Sequence, residues 1–509
     1  MNRKIISIGD DNKKRMKTGM DTVHQLVSST LGPKGLNITL DRGFSVPITT
    51  NDGVSICKAI ELNDEIENQG VEVIREVASK TNEQAGDGTT TSIVIAHALI
   101  EEASKYSENP MEIRRKLEAA KIKAIKSLKE ISREVKGKDE LLNLASISSE
   151  SEEIGKIICD TIEAVGEDGV ISVEEGKFPF IESKITEGYE VAKGYASPYM
   201  ANNGQKAIYE DVSCFVVGDK ISTITEILPF IQRACATIKE LVIFCTDADT
   251  SVINTFIANK QTGMFNGLII KVASQKNEIL EDIALYTGAT MVSKDTGFNL
   301  ADLTMDVLGK ADKIICEKDK TIITGGKGKA KTEEKIAELK EQLKTLKSDN
   351  EYDLVEKRIA RLHGGVAVIS VGAGTETEMR YLYYKVEDAV NAVRSAKEEG
   401  VVAGGGMTLY KVSQTLSDND IGEKILKEAL KAPLKTIINN CGKDYTDIIK
   451  NMPEGQGYDA SKDEYCDMIE RGIIDPTKVE RCAIENSVSF AATFITSKGT
   501  IAYKVEEQK

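Results

Sequence analysis

The chain has 509 residues, which is enough for roughly two to four domains. Its hydrophobic content of 41% and charged content of 29% are typical of a globular protein that builds sizeable cores. The net charge of −15 argues against general binding to nucleic acid or to an anionic membrane surface.

Few residues point to metal or redox chemistry. The nine cysteines form an odd set without regular short spacing, which favours reduced, mostly buried thiols over a disulfide framework. The three histidines lack a Cys or His at ligand spacing, so a zinc site is not expected. The N-terminus has no apolar signal region, and no apolar run reaches membrane-spanning length. We therefore expect a cytoplasmic protein, or one of an organelle matrix if a eukaryotic presequence has been removed.

The first 134 residues predict a mainly helical block. A helix over residues 10–30 is broken by Gly, Pro and Gly within residues 30–35. Two short strands, 37–41 and 47–50, follow and are joined by a turn at Arg42-Gly43. Helices are then predicted over 64–84, 90–108 and 111–134.

The middle of the chain changes character. After a helix over 151–165 and a strand over 170–175, apolar strands at 214–217, 241–244 and 268–272 alternate with helices. Continuous apolar strands of this kind favour a sheet that is covered on both faces. Residues 332–362 predict a helical hairpin, because Ile336, Leu339, Leu343 and Leu346 recur at helical spacing.

The last part of the chain returns to the helical pattern. A strand over 365–371 leads into a long helix over 375–398, and a glycine triplet, Gly404 to Gly406, opens another helix. Residues 420–509 are predicted to be largely helical. The α/β block is therefore an insertion within a helical region and not an appended domain.

A glycine-rich stretch, Ala85 to Thr91, carries the clearest chemical pattern. Asp87 lies between two glycines, and Thr89 to Thr91 lie at the predicted start of a helix. Free N–H groups at a helix start favour phosphate, and a carboxylate is the hard ligand that Mg²⁺ prefers. The stretch fits a phosphate and Mg²⁺ site about as well as a plain helix cap with a flexible lead-in.

Six motifs in fixed order are more specific than any one of them. They are Thr30-Leu31-Gly32-Pro33-Lys34-Gly35, Asp52-Gly53, Ala85-Gly86-Asp87-Gly88-Thr89-Thr90-Thr91, Val386-Glu387-Asp388-Ala389, Gly400-Val401-Val402-Ala403-Gly404-Gly405-Gly406 and Asp475-Pro476-Thr477-Lys478-Val479. Together they closely resemble the group I chaperonins, the bacterial GroEL and mitochondrial Hsp60 family. The resemblance runs from about residue 3 to residue 505.

The resemblance implies a multidomain α+β subunit. A mainly α-helical equatorial domain would comprise 1–130 and 399–509, and a small α/β intermediate domain would comprise 131–187 and 367–398. An α/β apical domain would occupy 188–366, with hinges at Gly188 and Gly372. Family members form seven-membered rings, so we expect a homo-oligomer, a tetradecamer if two rings stack. They bind non-native polypeptides and close under a GroES-like co-chaperonin, here encoded with the chain or by a host.

The resemblance also implies ATP, Mg²⁺ and K⁺ as cofactors. The positions that match nucleotide contacts are Thr30, Leu31, Gly32, Pro33, Asn51, Asp87, Gly88, Thr89, Thr90, Thr91, Gly405, Asp459, Ala460 and Asp475. Among these, Asp87 matches the Mg²⁺ ligand, Thr30 and Thr90 match positions near K⁺, and Asp475 matches an acceptor for a ribose hydroxyl. Asp388 resembles the carboxylate that positions the attacking water, and Asp52 is its acidic partner. Such a site needs charge neutralisation and an aligned water more than covalent catalysis.

The inserted block carries the expected polypeptide-binding surface. Its candidate residues are Tyr195, Tyr199, Leu228, Ile231, Val252, Phe256 and Ile257, several of which match the apolar groove of the family. An exposed apolar groove binds unfolded chains by burial without reading their sequence. The alternative is that some of these side chains are ordinary core.

Several positions depart from the family pattern. Asn51 stands where Lys is usual, Asp459 where Asn is common, and residues 381–384 replace a charged run. The chain also ends without a Gly-Gly-Met tail, so we expect a divergent member, virus-encoded or from a reduced genome. An ATP-driven foldase is favoured over a non-cycling holdase, because a plain binder needs no water-activating carboxylate. A small-molecule kinase would need an acceptor pocket for which we find no separate residues.

Overall fold

A computed structural model gives the structure of the chain. It describes residues 4–42, 45–165, 170–176, 178–272, 278–293, 303–343, 355, 358–359, 361–362 and 365–503. The chain divides into two compact units. The first comprises Met1–Cys159, Val173–Glu182 and Ser370–Lys509, and the second comprises Asp160–Ser172 and Ser183–Ile369. The three-domain division expected from the sequence stays a prediction.

The elements in the first third of the chain are mainly helices. They are β1 (Lys4–Ile8), α1 (Asp10–Ser28), β2 (Ile38–Arg42), β3 (Ser45–Thr50), α2 (Gly53–Ala59), α3 (Glu65–Ala85), α4 (Thr89–Ala103), α5 (Pro110–Ile131), α6 (Gly137–Ser149), α7 (Glu152–Val165) and β4 (Val170–Glu175). The predicted helices over this region are therefore present, with ends shifted by a few residues. Gly43, part of the predicted turn, lies outside the described residues.

The middle third alternates strands and helices. Its elements are β5 (Ile181–Val191), β6 (Ala207–Ile221), α8 (Ile224–Cys235), β7 (Glu240–Ala248), α9 (Thr250–Gln261), β8 (Asn266–Lys271), α10 (Glu278–Thr287), β9 (Gly309–Cys316), β10 (Thr321–Thr324) and α11 (Lys329–Leu343). Short 3₁₀ helices cover Pro198–Met200 and Met305–Val307. Of the predicted hairpin at 332–362, α11 supplies the first arm, and most of the second arm lies outside the described residues.

The last third is again mainly helical. Its elements are β11 (Gly365–Val371), α12 (Glu376–Glu399), β12 (Val401–Ala403), α13 (Met407–Gln414), α14 (Ile421–Leu430), α15 (Ala432–Asn440), α16 (Tyr445–Asn451), β13 (Gly457–Asp459), β14 (Glu464–Cys466), β15 (Ile474–Pro476), α17 (Thr477–Thr496) and β16 (Gly499–Tyr503).

The first unit is built around a helical core. Helices α1, α3, α4, α5, α14 and α17 all contribute buried apolar side chains to it. Helices α1 and α3 pack closely because each presents a glycine to the other. A Cβ on Gly19 would lie 1.9 Å from the Glu67 carbonyl oxygen, and one on Gly70 would lie 2.0 Å from the Met16 carbonyl oxygen. Gly19 and Gly70 therefore set the close spacing between α1 and α3.

The two ends of the described chain pair in this unit. Strands β1 and β16 are antiparallel, with Ile6 opposite Ile501. Alternation along each strand sends Ile5 and Ala502 toward the helical core and leaves Ile6 and Ile501 each 64% exposed. The outward face of this small sheet is therefore apolar.

The second unit contains a mixed sheet. Six neighbouring strands of this sheet follow the order β5-β10-β9-β6-β7-β8. Pairs β6–β7 and β7–β8 are parallel, and the pairs β6–β9, β9–β10 and β10–β5 are antiparallel. Helices α8, α9 and α10 bury side chains in the same core as these strands. The apolar strands that the sequence predicted at 214–217, 241–244 and 268–272 lie within β6, within β7 and across the end of β8.

The cysteines do not pair with one another. Six of the nine are buried, Cys441 and Cys466 are partly buried, and Cys235 is exposed. Burial raises the pKa of the Cys57, Cys245 and Cys316 thiols to about 12. Within the described residues, no helix is both long enough and apolar enough to cross a bilayer.

Candidate functional site

The start of α4 is open to an anion. Gly86 and Gly88 adopt φ of 71° and 83°, which lets the chain turn sharply on both sides of Asp87. Gly88 precedes the helix, and none of the described side chains caps it. By contrast, Asp52 and Asp64 cap α2 and α3. The first N–H groups of α4 therefore stay available as hydrogen-bond donors to a phosphate.

Asp52 lies next to this helix start. Its Oδ1 accepts the Val54 N–H at 3.1 Å and its Oδ2 accepts the Ser55 N–H at 2.8 Å. The following residue, Gly53, is pressed against α4, since an added Cβ would lie 2.8 Å from the hydroxyl oxygens of Thr89 and Thr90. The cap of α2 therefore holds a carboxylate beside the threonines of the predicted phosphate site.

Helix α12 brings Asp388 to the same place. It packs on the Gly86 turn, where a Cβ would lie 2.4 Å from the Asn391 side chain. The Ser395 hydroxyl, one turn further along, donates to the Ala85 carbonyl oxygen at 3.0 Å. Asp388 precedes Asn391 by about one turn and so lies on the part of α12 near Asp87. All of these residues belong to the first unit.

The three aspartates repel one another. Burial raises the pKa of Asp388 well above its usual range, and the charges of Asp87 and Asp52 raise it further. Burial also raises the pKa of Asp87, against the opposing effects of the Gly88 N–H and of Lys385. Clustered carboxylates with raised pKa values favour a bound cation, which would relieve the repulsion.

The loop from Thr30 to Pro33 meets an apolar cluster. Thr30 is buried and donates its hydroxyl to the Val27 carbonyl oxygen at 2.8 Å. Leu31 packs on a cluster that contains Ala460, and its carbonyl oxygen accepts the Asn440 amide at 2.9 Å. Gly32, at φ 88°, leaves only 3.1 Å between an added Cβ and Ile437. The loop is thus held against an apolar surface of the kind that a flat base could contact.

Asp459 and Asp475 are the two remaining acidic residues of the predicted nucleotide site. Burial acts to raise the pKa of Asp459, but hydrogen bonds from Ser461 and from the Lys462 N–H lower it. Asp475 lies on β15 opposite Val402 of β12. The Gly405 N–H donates to the Asp475 carboxyl group, and a Cβ on Gly404 would lie 3.0 Å from its Oδ1. The glycine triplet therefore wraps closely around Asp475.

A comparison with known families identifies this arrangement. The sequence matches the model of the TCP-1/cpn60 chaperonin family over residues 23–504. The chain belongs to this chaperonin family. The match covers nearly the whole chain, so the resemblance inferred from the six motifs is confirmed.

Two solved structures are similar to this chaperonin over almost its full length. Both are crystal structures of the chaperonin gp146 from the bacteriophage EL 2 (Pseudomonas aeruginosa) in the presence of ATP-BeFx. Crystal form II matches with a TM-score of 0.73 and 22% identity, covering 99% of this chain and 100% of that chain. Crystal form I matches with a TM-score of 0.64 and 22% identity, covering 99% of each. The predicted multidomain α+β chaperonin fold is confirmed.

Asn51 and Tyr381, which both depart from the family pattern, donate hydrogen bonds to the same carboxylate in this chaperonin. Glu150 Oε1 accepts the Asn51 amide at 3.1 Å and the Lys385 ammonium at 2.8 Å, and its Oε2 accepts the Tyr381 hydroxyl at 2.9 Å. Burial acts to raise the pKa of Glu150, but these three partners together hold it below its usual value. Glu150 was not predicted as a site residue, because no local pattern marks it. The only signal in the sequence was that both Asn51 and Tyr381 differ from the residues usual in the family.

The candidate polypeptide-binding residues of the chaperonin differ in exposure. Tyr199 is 73% exposed and Leu228 is 37% exposed, while Tyr195 and Ile257 are partly buried. The expectation of an open groove is wrong for Ile231, Val252 and Phe256 in this structure, since they are 8%, 0% and 3% exposed. They pack into the core of the second unit, because one face of α8 and one face of α9 cover the sheet.

Gly372, one of the two predicted hinge positions, has no room for a side chain. Its φ is not positive, but a Cβ would lie 1.7 Å from the Phe178 carbonyl oxygen. Gly188 lies within β5, paired with Thr324 of β10. The hinge role of both residues stays a prediction.

Proposed function

We propose that this chaperonin is an ATP-driven foldase that hydrolyses ATP at the site around Asp52, Asp87 and Asp388. The observation that carries the proposal is the convergence of these three carboxylates, from three separate segments, on the uncapped start of α4. A structural salt-bridge network would pair them with cations, but here burial raises the pKa values of Asp388 and Asp87, and the charge of Asp52 raises both further. Family membership supports the same conclusion.

The residues present fit a nucleotide with Mg²⁺. Asp87 would hold the ion, and the N–H groups at the start of α4 would bind the phosphates. When bound, Mg²⁺ neutralises the phosphate charge that develops during transfer. The hydroxyl oxygens of Thr30 and Thr90 would complete a K⁺ site. The apolar surface formed with Leu31 and Ala460 would receive the base, with Asp459 beside it.

Asp388 would orient the attacking water and accept its proton. A carboxylate with a raised pKa is a better proton acceptor near neutral pH than an ordinary aspartate. Asp52 would act as the acidic partner of Asp388, while both oxygens of the Asp52 carboxylate continue to cap α2. Because Asp388 is carried by α12, any movement of this helix away from the Gly86 turn would stop hydrolysis.

The remaining parts of the proposal concern polypeptides and assembly. The exposed apolar side chains Tyr199 and Leu228 would capture non-native chains by burial. The outward face of β1 and β16, with Ile6 and Ile501, is a surface that would be covered by another subunit in a homo-oligomeric ring. We propose a seven-membered ring, one or two per particle, that closes under a GroES-like co-chaperonin.

Steady-state phosphate release from the purified full chain tests the proposal. Asp388→Ala should lower ATP turnover by about 100-fold or more, while ATP binding persists. Glu387→Ala is the matched control, since it removes the adjacent carboxylate of the same helix and should keep turnover near the wild-type rate. Equal turnover in the Asp388 variant would remove this residue from the mechanism. Wild-type protein that binds ATP without turnover would instead support the holdase alternative.

A further inference from the structure

Asp475 has a carboxyl partner that the sequence did not single out. Glu480 lies in the first turn of α17, and a side chain there points back toward the helix N-terminus, where Asp475 lies. A hydrogen bond joins the two carboxyl groups. Glu480 is 5% exposed, and its Oε2 has no hydrogen-bond partner among the described residues.

Two carboxyl groups can share a hydrogen bond only if one of them carries a proton. The charged groups that act on Glu480 are Asp475 and Asp87, and both are acidic. Burial and these two neighbours raise the pKa of Glu480 well above its usual value. Burial and the charge of Asp87 raise the pKa of Asp475 too, to about 6, but the hydrogen bonds from Glu480 and from the Gly405 N–H favour its ionised form. The proton of the pair therefore belongs on Glu480.

We propose that Glu480 is a positioning residue of the nucleotide site, which donates a hydrogen bond to Asp475 and so holds it as an ionised, oriented acceptor for a ribose hydroxyl. The inference rests on the proposed ATP-binding function. Asp475 is held from two sides: the Gly405 N–H fixes it from the glycine triplet, and the Glu480 hydroxyl fixes it from α17. Without Glu480, the Asp475 carboxylate would lose one of these anchors and could rotate away from the sugar.

The test compares affinities for ATP and for its 2′-deoxy and 3′-deoxy analogues, measured by calorimetry on the full chain. Wild-type protein should bind at least one analogue about ten-fold more weakly than ATP, which is the size of a hydrogen bond to a charged acceptor. Glu480→Gln keeps a neutral donor of the same shape and should preserve this discrimination. Glu480→Met keeps the side-chain length without a donor and should reduce it to about two-fold.

The affinity for the deoxy analogue serves as the folding control, because it should be the same in all three proteins. Glu480→Met protein that discriminates as strongly as wild type would overturn the inference. Loss of discrimination in Glu480→Gln would also overturn it, since a neutral donor would then be insufficient. Wild-type protein that binds ATP and both analogues equally would remove the ribose contact and the inference, but leave ATP binding intact. Absence of any ATP binding would instead contradict the proposed function.

Discussion

At the scale of single residues, the site depends on carboxyl groups whose surroundings differ. Asp388 and Asp87 are buried among like charges, so their pKa values are raised. The Glu150 side chain is about half exposed, and Lys385, Tyr381 and Asn51 surround it with donors that lower its pKa. A carboxyl group is thus set up for proton transfer in one place and for a lasting ionic contact in the other.

The Glu150 contact predicts a pH-dependent contribution to stability. Because the pKa of Glu150 is lower in the folded state, its contribution is present above the unfolded value of 4.5 and is lost as pH falls through the folded pKa. Glu150→Gln should therefore reduce the free energy of unfolding by about 1 kcal/mol at pH 7, a modest value because the group is partly solvated. Denaturant titrations at pH 7 and at successively lower pH measure the difference, which should shrink as the pH falls below 4.5 and through the folded pKa. Glu153→Gln, at an exposed neighbouring position, should show no such pH-dependent loss, and a similar loss there would contradict the assignment.

At the scale of elements, the site is made where α12 meets the turn before α4. This turn needs glycine at residue 86 for two reasons: its φ of 71° and the Asn391 side chain 2.4 Å from where a Cβ would lie. Gly442 has nearly the same φ, 72°, but an added Cβ there has nothing within 4 Å. Comparing alanine substitutions at Gly86 and Gly442 therefore separates the cost of backbone strain from the cost of displacing α12.

Gly86→Ala should therefore be far more damaging than Gly442→Ala. The left-handed conformation costs an alanine about 1 kcal/mol at either position. At residue 86 the clash with Asn391 should bring the total to about 3 kcal/mol and lower ATP turnover, because α12 carries Asp388. Unfolding free energies and phosphate release of both variants measure these effects. Similar losses in the two variants would mean that the packing of α12 on the turn contributes little.

At the scale of the whole molecule, the sequence predicted the order of the helices and strands better than the contacts between them. The motifs around Asp52, Asp87 and Asp388 were recognisable because each has local spacing that a ligand site requires. The burial of Ile231, Val252 and Phe256 was not, because helical spacing alone does not tell which apolar face meets the sheet. Glu480 and Glu150 were missed for a related reason, since their roles depend on contacts with Asp475 and with α12 that no short window of sequence contains.

The exposure of the second unit's apolar side chains predicts which of them capture polypeptides. The double variant Tyr199→Ser with Leu228→Ser should weaken capture of a denatured model protein several-fold, since both side chains reach solvent. It should leave the thermal stability of the chain nearly unchanged. Phe256→Ser should instead destabilise the second unit by about 3 kcal/mol, because it empties core space beside Phe265. Light scattering of an aggregating client and thermal melts distinguish these outcomes, and unchanged capture by the double variant would move the binding surface elsewhere.

The single exposed thiol offers a direct optical view of such capture. Cys235 ends α8, two helical turns and so about 10 Å along the axis from Leu228. A maleimide dye should attach there preferentially, because the other eight thiols are buried or partly shielded. An environment-sensitive fluorophore at Cys235 would therefore brighten or shift its emission when a client arrives, in protein that carries no introduced cysteine.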